Sequence, residues 1–141
     1  MCRVLHIEDQ ESFRVIIKKV LSGSGDFDIT PASTFTRAAA LLSASCFDAV
    51  LLDLNLPDSS GLITLRRVKD LCPNTPVIVL SGEDEEVVGL QSIREGADDF
   101  FLKTWELKTL GHKIEYARER EKMRADLEAA LVCLRDRNAE L

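Results

Sequence analysis

The chain lacks the features that would place it in several functional classes. Its four cysteines, Cys2, Cys46, Cys72 and Cys133, lie far apart and form no Cys-x-x-Cys pair. With only two histidines beside them, no zinc-binding spacing exists. Free thiols in a reducing compartment are what this usage predicts. No apolar run approaches the roughly 20 residues that a helix needs to cross a bilayer. The opening Met1-Cys2-Arg3-Val4 is not followed by the long apolar segment of a secretory signal. The sequence therefore reads as cytoplasmic, with no membrane partner. A basic surface is missing as well. The formal net charge is −6, and residues 106–141 hold eight Lys/Arg against eight Asp/Glu, so the whole excess lies in residues 1–105. That argues against a general nucleic-acid face, which needs clustered positive charge. It is compatible with an acidic pocket that holds a divalent cation.

What is present is the pattern of one soluble domain with a proper core. The 141 residues are 45% hydrophobic and 30% charged, an ordinary globular balance. The stretch Ala49-Val50-Leu51-Leu52-Asp53 runs apolar residues straight into an acid. A short continuous apolar run of this kind is a strand buried on both faces, as in a parallel sheet. Pro57, Asp58, Ser59, Ser60 and Gly61 then mark a loop, which places Asp53 at the carboxyl end of the strand.

The rest of the chain alternates. Strands are expected at Arg3 to Ile7, Phe27 to Thr30, Asp48 to Leu52, Pro76 to Leu80 and Asp99 to Leu102. Helical spacing fills Gln10 to Leu21, Thr36 to Ala44, the stretch around Leu62 to Leu71, Asp84 to Arg94, and everything from Trp105 onward. The acidic run Glu83 to Glu86 suits a helix N-terminus, where it complements the macrodipole. Five strands alternating with five helices predict right-handed βαβ units and a doubly wound parallel sheet. A flavodoxin-like order 2-1-3-4-5 follows, with the last helix extended.

In that topology the carboxyl ends of strands one, three, four and five meet at one edge. The groups there are Glu8 and Asp9, then Asp53, Ser81 and Lys103. Converging carboxylates repel, and Mg²⁺, a hard cation with a preference for oxygen ligands, relieves this. Lys103 adds a fixed positive charge and Ser81 a hydroxyl. An anion held between a cation, an ammonium and a hydroxyl is what phosphoryl transfer requires, with Asp53 as nucleophile.

These motifs, in this order, resemble the receiver domains of two-component response regulators over about residues 1–120. The acid pair of the family corresponds to Glu8-Asp9, with Glu8 in place of the commoner Asp. The phospho-acceptor corresponds to Asp53, followed by the family's Pro57 and Gly61; the hydroxyl position is Ser81, the lysine Lys103, and the aromatic switch Phe100. The resemblance implies phosphoryl transfer to Asp53 from a histidine kinase or histidine phosphotransfer protein. It implies Mg²⁺ held by Asp9, Asp53 and the backbone carbonyl of Asn55, with Glu8 acting through water. Ser81 and Lys103 then grip the phosphoryl oxygens, and Ser81 and Phe100 move together to change the face built by the fourth helix, fifth strand and fifth helix. Asn55 and Glu83 border the path of a hydrolytic water and are expected to tune dephosphorylation.

Two residues depart from the family pattern. Thr104 stands where a proline in a cis bond is usual. A cis Lys103–Thr104 bond costs about 3–4 kcal/mol, so the alternative is a trans bond and another loop path. Phe100 lacks the hydroxyl of the commoner tyrosine.

Other functional classes fit less well. A haloacid-dehalogenase-like phosphatase needs a second acid where Asn55 stands. A flavodoxin needs a phosphate-cradling loop where Glu8-Asp9-Gln10-Glu11 is acidic. A phosphorylation-independent interaction module would not need Asp9, Asp53, Ser81 and Lys103. The chain is thus expected to be a phospho-acceptor rather than a dedicated enzyme.

Residues 121–141 continue the last helix beyond the domain. Ala117, Arg124, Leu131 and Asn138 recur every seven residues, as do Arg120, Leu127, Leu134 and Leu141. This a/d seam predicts a homodimeric coiled coil through Leu127, Leu131, Leu134, Asn138 and Leu141, with Asn138 fixing register. The extension is expected to lead into an output domain that these residues do not include. The alternative is a solvated helix on a monomer.

Overall fold

The computed structural model describes residues 1–82 and 86–139. Five parallel strands form the central sheet: β1 (Cys2–Ile7), β2 (Phe27–Ala32), β3 (Ala49–Asp53), β6 (Val77–Ser81) and β7 (Asp99–Leu102). A two-stranded antiparallel hairpin, β4 (Asn55–Leu56) and β5 (Ser59–Ser60), occupies the loop after Asp53. The sheet order is β2-β1-β3-β6-β7, the doubly wound order expected, with the hairpin as an addition. Helices α1 (Glu11–Ser24), α2 (Phe35–Ala44), α3 (Leu62–Leu71), α4 (Glu86–Arg94) and α5 (Leu110–Ala139) cover it. The acidic residues 83–85 and the seam residue Leu141 lie outside the described residues.

Local chemistry explains several boundaries. α1 runs past Gly23 and stops at Gly25, and the Ser22 and Ser24 hydroxyls in its last turn bond back to the carbonyls of Lys18 and Val20. β2 tolerates Pro31 because it is an edge strand, with one side free of ladder bonds. Thr34 caps α2 by accepting from the Arg37 N–H. Asp58, on the hairpin, adds a second cap to α2: its carboxylate accepts from the backbone N–H groups of Phe35 and Thr36 and from the Thr36 hydroxyl.

The core has two layers, one on each face of the sheet. Leu5, Ile7, Val50, Leu52, Val77 and Val79 meet α2 and α3. Val4, Leu51, Ile78, Leu80 and Phe101 meet α1 and α5. β3 and β6 are buried along their whole lengths, as central parallel strands must be. On α1 the buried stripe is narrower than the sequence spacing suggests. Ile17 and Leu21 are fully buried, Phe13 is half-buried, and Ile16 is exposed.

α5 does not begin at Trp105. A 3-10 turn at Leu107–Thr109 precedes it. Ile114 and Ala117 are buried against the sheet. Arg118 pairs with Asp48, Arg120 donates to the Asp98 carbonyl, and Arg124 donates to the Asn74 side chain. The helix is therefore braced against the domain as far as Arg124. Along the helix Arg124 pairs with Glu121 at 2.7 Å and also reaches Glu128.

Candidate functional site

The carboxyl ends of the strands bring the predicted groups into one cleft. Glu8 follows β1 and is fully buried; Asp9, next to it, is exposed. Asp53 ends β3 and is 7% exposed. One carboxylate oxygen from each of Glu8, Asp9 and Asp53 falls within 4.8 Å of the others. Lys103, just beyond β7, bridges two of them, its Nζ 3.0 Å from Glu8 Oε1 and 3.2 Å from Asp53 Oδ2. The backbone N–H of Asn55 donates to Asp53 Oδ1 at 2.9 Å.

These contacts divide the two buried acids. Burial, together with contact with Asp53 that outweighs the opposing effect of Lys103, raises the Glu8 carboxyl to about 8. Burial also works on Asp53, but hydrogen bonds from Glu8 and the Asn55 N–H, with the nearby Lys103 ammonium, hold it below the usual carboxylate range. Burial opposes the charge of Lys103, and its two carboxylate partners overcome this and raise its pKa. At neutral pH the proton sits on Glu8, and Asp53 is the ionised carboxylate facing a fixed ammonium.

The donor set fits a hard divalent cation. Three carboxylates converge, and Glu8 Oε2 is buried without a hydrogen-bond partner, an arrangement that a cation or its water would complete. Asn55 is exposed and adjoins the cluster through its bond to Asp53.

Ser81 ends β6, one step beyond the Asp53–Leu80 pairing. Its hydroxyl is buried and has no hydrogen-bond partner among the described residues. Phe100 is half-buried, tilted against Trp105 at 5.6 Å, and lies over Gly89 of α4, where an added Cβ would stand 2.6 Å from the ring. Trp105 also meets Phe101 edge-on, and Lys113 sits over it while pairing with Asp99. Among the described residues every peptide bond is trans, including Lys103–Thr104, so the loop takes the trans path. Glu83 lies outside the described residues.

Three neighbours of the cleft were not singled out by sequence. Arg14 donates to the Glu8 carbonyl at 2.8 Å. Phe13 places its ring 4.6 Å from Lys103 Nζ. His6 is fully buried, with neither ring nitrogen hydrogen-bonded, and burial lowers its pKa to about 4, so it is neutral. Phe13 and Arg14 are four and five residues beyond Asp9, in the first turn of the following helix; that proximity is the signal that points to them.

On the distal part of α5, Leu127, Leu131 and Leu134 are exposed, as are Tyr116 and Met123 above them. At 100° per residue these form one stripe, turned away from the face that carries Ile114 and Ala117. Asn138 is exposed next to that stripe. Ala117 and Arg124, the upper members of the expected seam, face the domain instead. No helix among the described residues is long and apolar enough to cross a membrane.

Comparison with known proteins agrees with this geometry. Residues 4–115 match the family described as the response regulator receiver domain. The cell cycle transcriptional regulator CtrA of Caulobacter vibrioides is 36% identical over 101 residues, covering 72% of this chain and 43% of CtrA. The KDP operon transcriptional regulatory protein KdpE of Escherichia coli is 31% identical over 120 residues, covering 85% of this chain and 52% of KdpE. The chain thus spans about half the length, or less, of these two relatives. A response regulator receiver domain protein from Clostridium thermocellum superposes with a TM-score of 0.79 at 27% identity, covering 87% of this chain and 98% of that one. The chain belongs to the response regulator receiver family, whose members act in two-component signal transduction.

Proposed function

We propose that Asp53 accepts a phosphoryl group from a phosphohistidine on a histidine kinase or phosphotransfer protein. The observation that carries this is the pairing at the end of β3: an ionised, buried Asp53 held by Lys103 at 3.2 Å and by the Asn55 N–H at 2.9 Å. In the transfer the donor's N–P bond breaks as an Asp53 carboxylate oxygen bonds to phosphorus. The histidine nitrogen keeps the electron pair, and Asp53 becomes an acyl phosphate. Asp9, Asp53 and the Asn55 backbone carbonyl would hold Mg²⁺, with Glu8 behind a bound water. The cation's chemistry is neutralisation of phosphoryl charge. Lys103 has to turn part of its charge from Asp53 to the incoming oxygens. Ser81, whose hydroxyl lacks a partner, is available as a further donor.

The output follows from the same groups. When Ser81 moves toward the phosphoryl group, Phe100 leaves its place between Gly89 and Trp105, and the face of α4, β7 and α5 repacks. This is a two-state element biased by a local charge event. The apolar stripe on α5 supports a homodimer through Leu127, Leu131 and Leu134, with Asn138 beside them, and an output domain or partner would read the change. Asn55 borders the approach of a hydrolytic water, so its side chain tunes the lifetime of the phosphorylated state. The chain is then a switch with self-catalysed phosphorylation and dephosphorylation rather than a dedicated enzyme.

The test is intact-mass analysis after incubation with Mg²⁺ and acetyl phosphate. One added phosphoryl group, absent from Asp53→Asn, is the expected result. No adduct with any donor overturns the reading in favour of an interaction module, and steady phosphate release from unrelated monoesters favours a phosphatase.

A further inference from the structure

We propose that Phe13 is a positioning residue for Lys103, its ring fixing where the ammonium stands. The proposal rests on the reading of Asp53 as phospho-acceptor. Lys103 has a long flexible side chain, and nothing in its sequence position determines where its charge points. Three groups surround Nζ: Glu8 Oε1 at 3.0 Å, Asp53 Oδ2 at 3.2 Å, and the Phe13 ring with its centroid at 4.6 Å. The first two pull the ammonium into the cleft. The third offers a negative π-face to the same charge.

The ring is itself held. Phe13 lies in the first turn of α1, which starts at Glu11 directly after the acid pair, so the helix carries it over the strand ends. It packs against the core layer of Val4, Ile17 and Phe101. The buried imidazole of His6 meets it edge-on at 6.0 Å. Neither ring nitrogen of His6 has a hydrogen-bond partner among the described residues, so the imidazole serves here as packing for the Phe13 ring.

The consequence is specific to the transfer. Glu8 and Asp53 both compete for the ammonium, and an arriving phosphoryl group must draw it away from them. An aromatic face keeps water off the ammonium without adding a further anion, so Lys103 stays poised and can still be shared. An aliphatic side chain of similar size would fill the same core volume but supply no such face.

Two measurements decide the matter. In the wild-type protein the Lys103 Cε protons should resonate upfield because of the Phe13 ring current. Phe13→Leu should remove that shift and slow phosphoryl uptake from acetyl phosphate by about two- to thirty-fold. Phe13→Tyr, which keeps the ring, should restore most of the rate. In a Lys103→Met background Phe13→Leu should cause no further slowing, because Phe13 acts only through the lysine. Should Phe13→Leu not fold, Phe13→Met takes its place. Equal slowing in both backgrounds, or Lys103 protons at their ordinary position in the wild type, overturns the proposal. Absence of any phosphoryl uptake by the wild type overturns the function of Asp53 itself, and the role of Phe13 with it.

Discussion

The cleft at the strand ends and the outer face of α5 are built on opposite terms. In the cleft, the ends of β1, β3, β6 and β7 deliver the functional groups, and three of them are interlocked: Lys103 is held by Glu8 and Asp53, Asp53 by the Asn55 N–H, and Lys103 again by the Phe13 ring. Below Arg124, α5 presents Leu127, Leu131 and Leu134 at 62%, 50% and 55% exposure. In the proposed function the first region would need only a cation and a phosphoryl group besides its own chain. The second, in the proposed dimer, would be covered only by another surface. The difference teaches where stability and signalling reside. Removing an apolar side chain should unfold the first region and leave the monomer's second region untouched.

Paired truncations are the strongest way to break that comparison. Leu51 is fully buried in the central strand, and Leu51→Ala should cost about 2–5 kcal/mol in urea unfolding. Leu127→Ala should change the stability of the monomer by no more than about 0.5 kcal/mol while shifting sedimentation toward the monomer. If Leu127→Ala destabilises the isolated monomer as strongly as Leu51→Ala, the outer stripe is packed on its own domain and the contrast fails.

The cation provides the next largest effect, and it acts on the cleft alone. A ligand that binds only the folded state adds about 2.7 kcal/mol at a hundred times its dissociation constant. Titration with Mg²⁺ should therefore raise the melting temperature of the wild type. Asp9→Asn, at the exposed corner of the acid cluster, should lose most of that rise and keep the melting temperature of the cation-free protein. An equal rise in the two proteins would place the ion elsewhere.

Gly89 links the cleft to the α4–α5 side. A Cβ there would meet the Phe100 ring at 2.6 Å, with α4 backbone on one side and Trp105 on the other. Gly89→Ala gains helix propensity, but overpacking costs about 1–3 kcal/mol, so Phe100 should be displaced from the position it holds here. Trp105 is the only tryptophan, so its emission reports the move. The expected outcome is an emission change in the unphosphorylated protein and a smaller further change on adding beryllofluoride. Unaltered emission would mean that α4 shifts instead of the ring.

How much of this was legible beforehand depends on whether a residue's role is set along the chain or across it. Asp53 was legible because an apolar run ending in an acid is a one-dimensional pattern, and alternation then placed Asp9, Ser81 and Lys103 at the same edge. Phe13 falls on the helical spacing of Gln10 to Leu21, but its approach to Lys103 joins residues ninety positions apart and leaves no trace in spacing. Ile16 shows the converse. It fits the helical period, yet only the i, i+4 line through Phe13, Ile17 and Leu21 meets the sheet. Along α5, heptad spacing could not distinguish a face turned to the domain from one turned outward. Ala117 and Arg124 match the seam and face the domain; Tyr116 and Met123 stand on the outer stripe. The trans Lys103–Thr104 bond was open in the sequence because removing proline removes the reason for cis without dictating a loop path.

The smallest effect sits between the two regions, on the hairpin that follows Asp53. Asp58 is fully exposed, yet its pKa is lowered to about 2 by the N–H groups of Thr36 and Phe35 at the start of α2. The unfolded chain would hold this carboxyl near the ordinary value of about 3.9. A depressed folded-state pKa means that the cap's contribution is fully present above about pH 4 and is lost as the pH falls toward about 2. Asp58→Ala should therefore lower stability at neutral pH and flatten the pH dependence only within that acid window. Asp58→Asn should retain part of the cap, because its side-chain oxygen still accepts a hydrogen bond, while losing the same pH dependence. The measurement is urea unfolding of the three proteins between pH 2 and pH 6. The hairpin's cap is separable from the cleft if phosphoryl uptake at Asp53 stays the same in both variants at neutral pH. A large fall in uptake would instead make α2 capping part of how the loop after β3 holds Asn55 against Asp53.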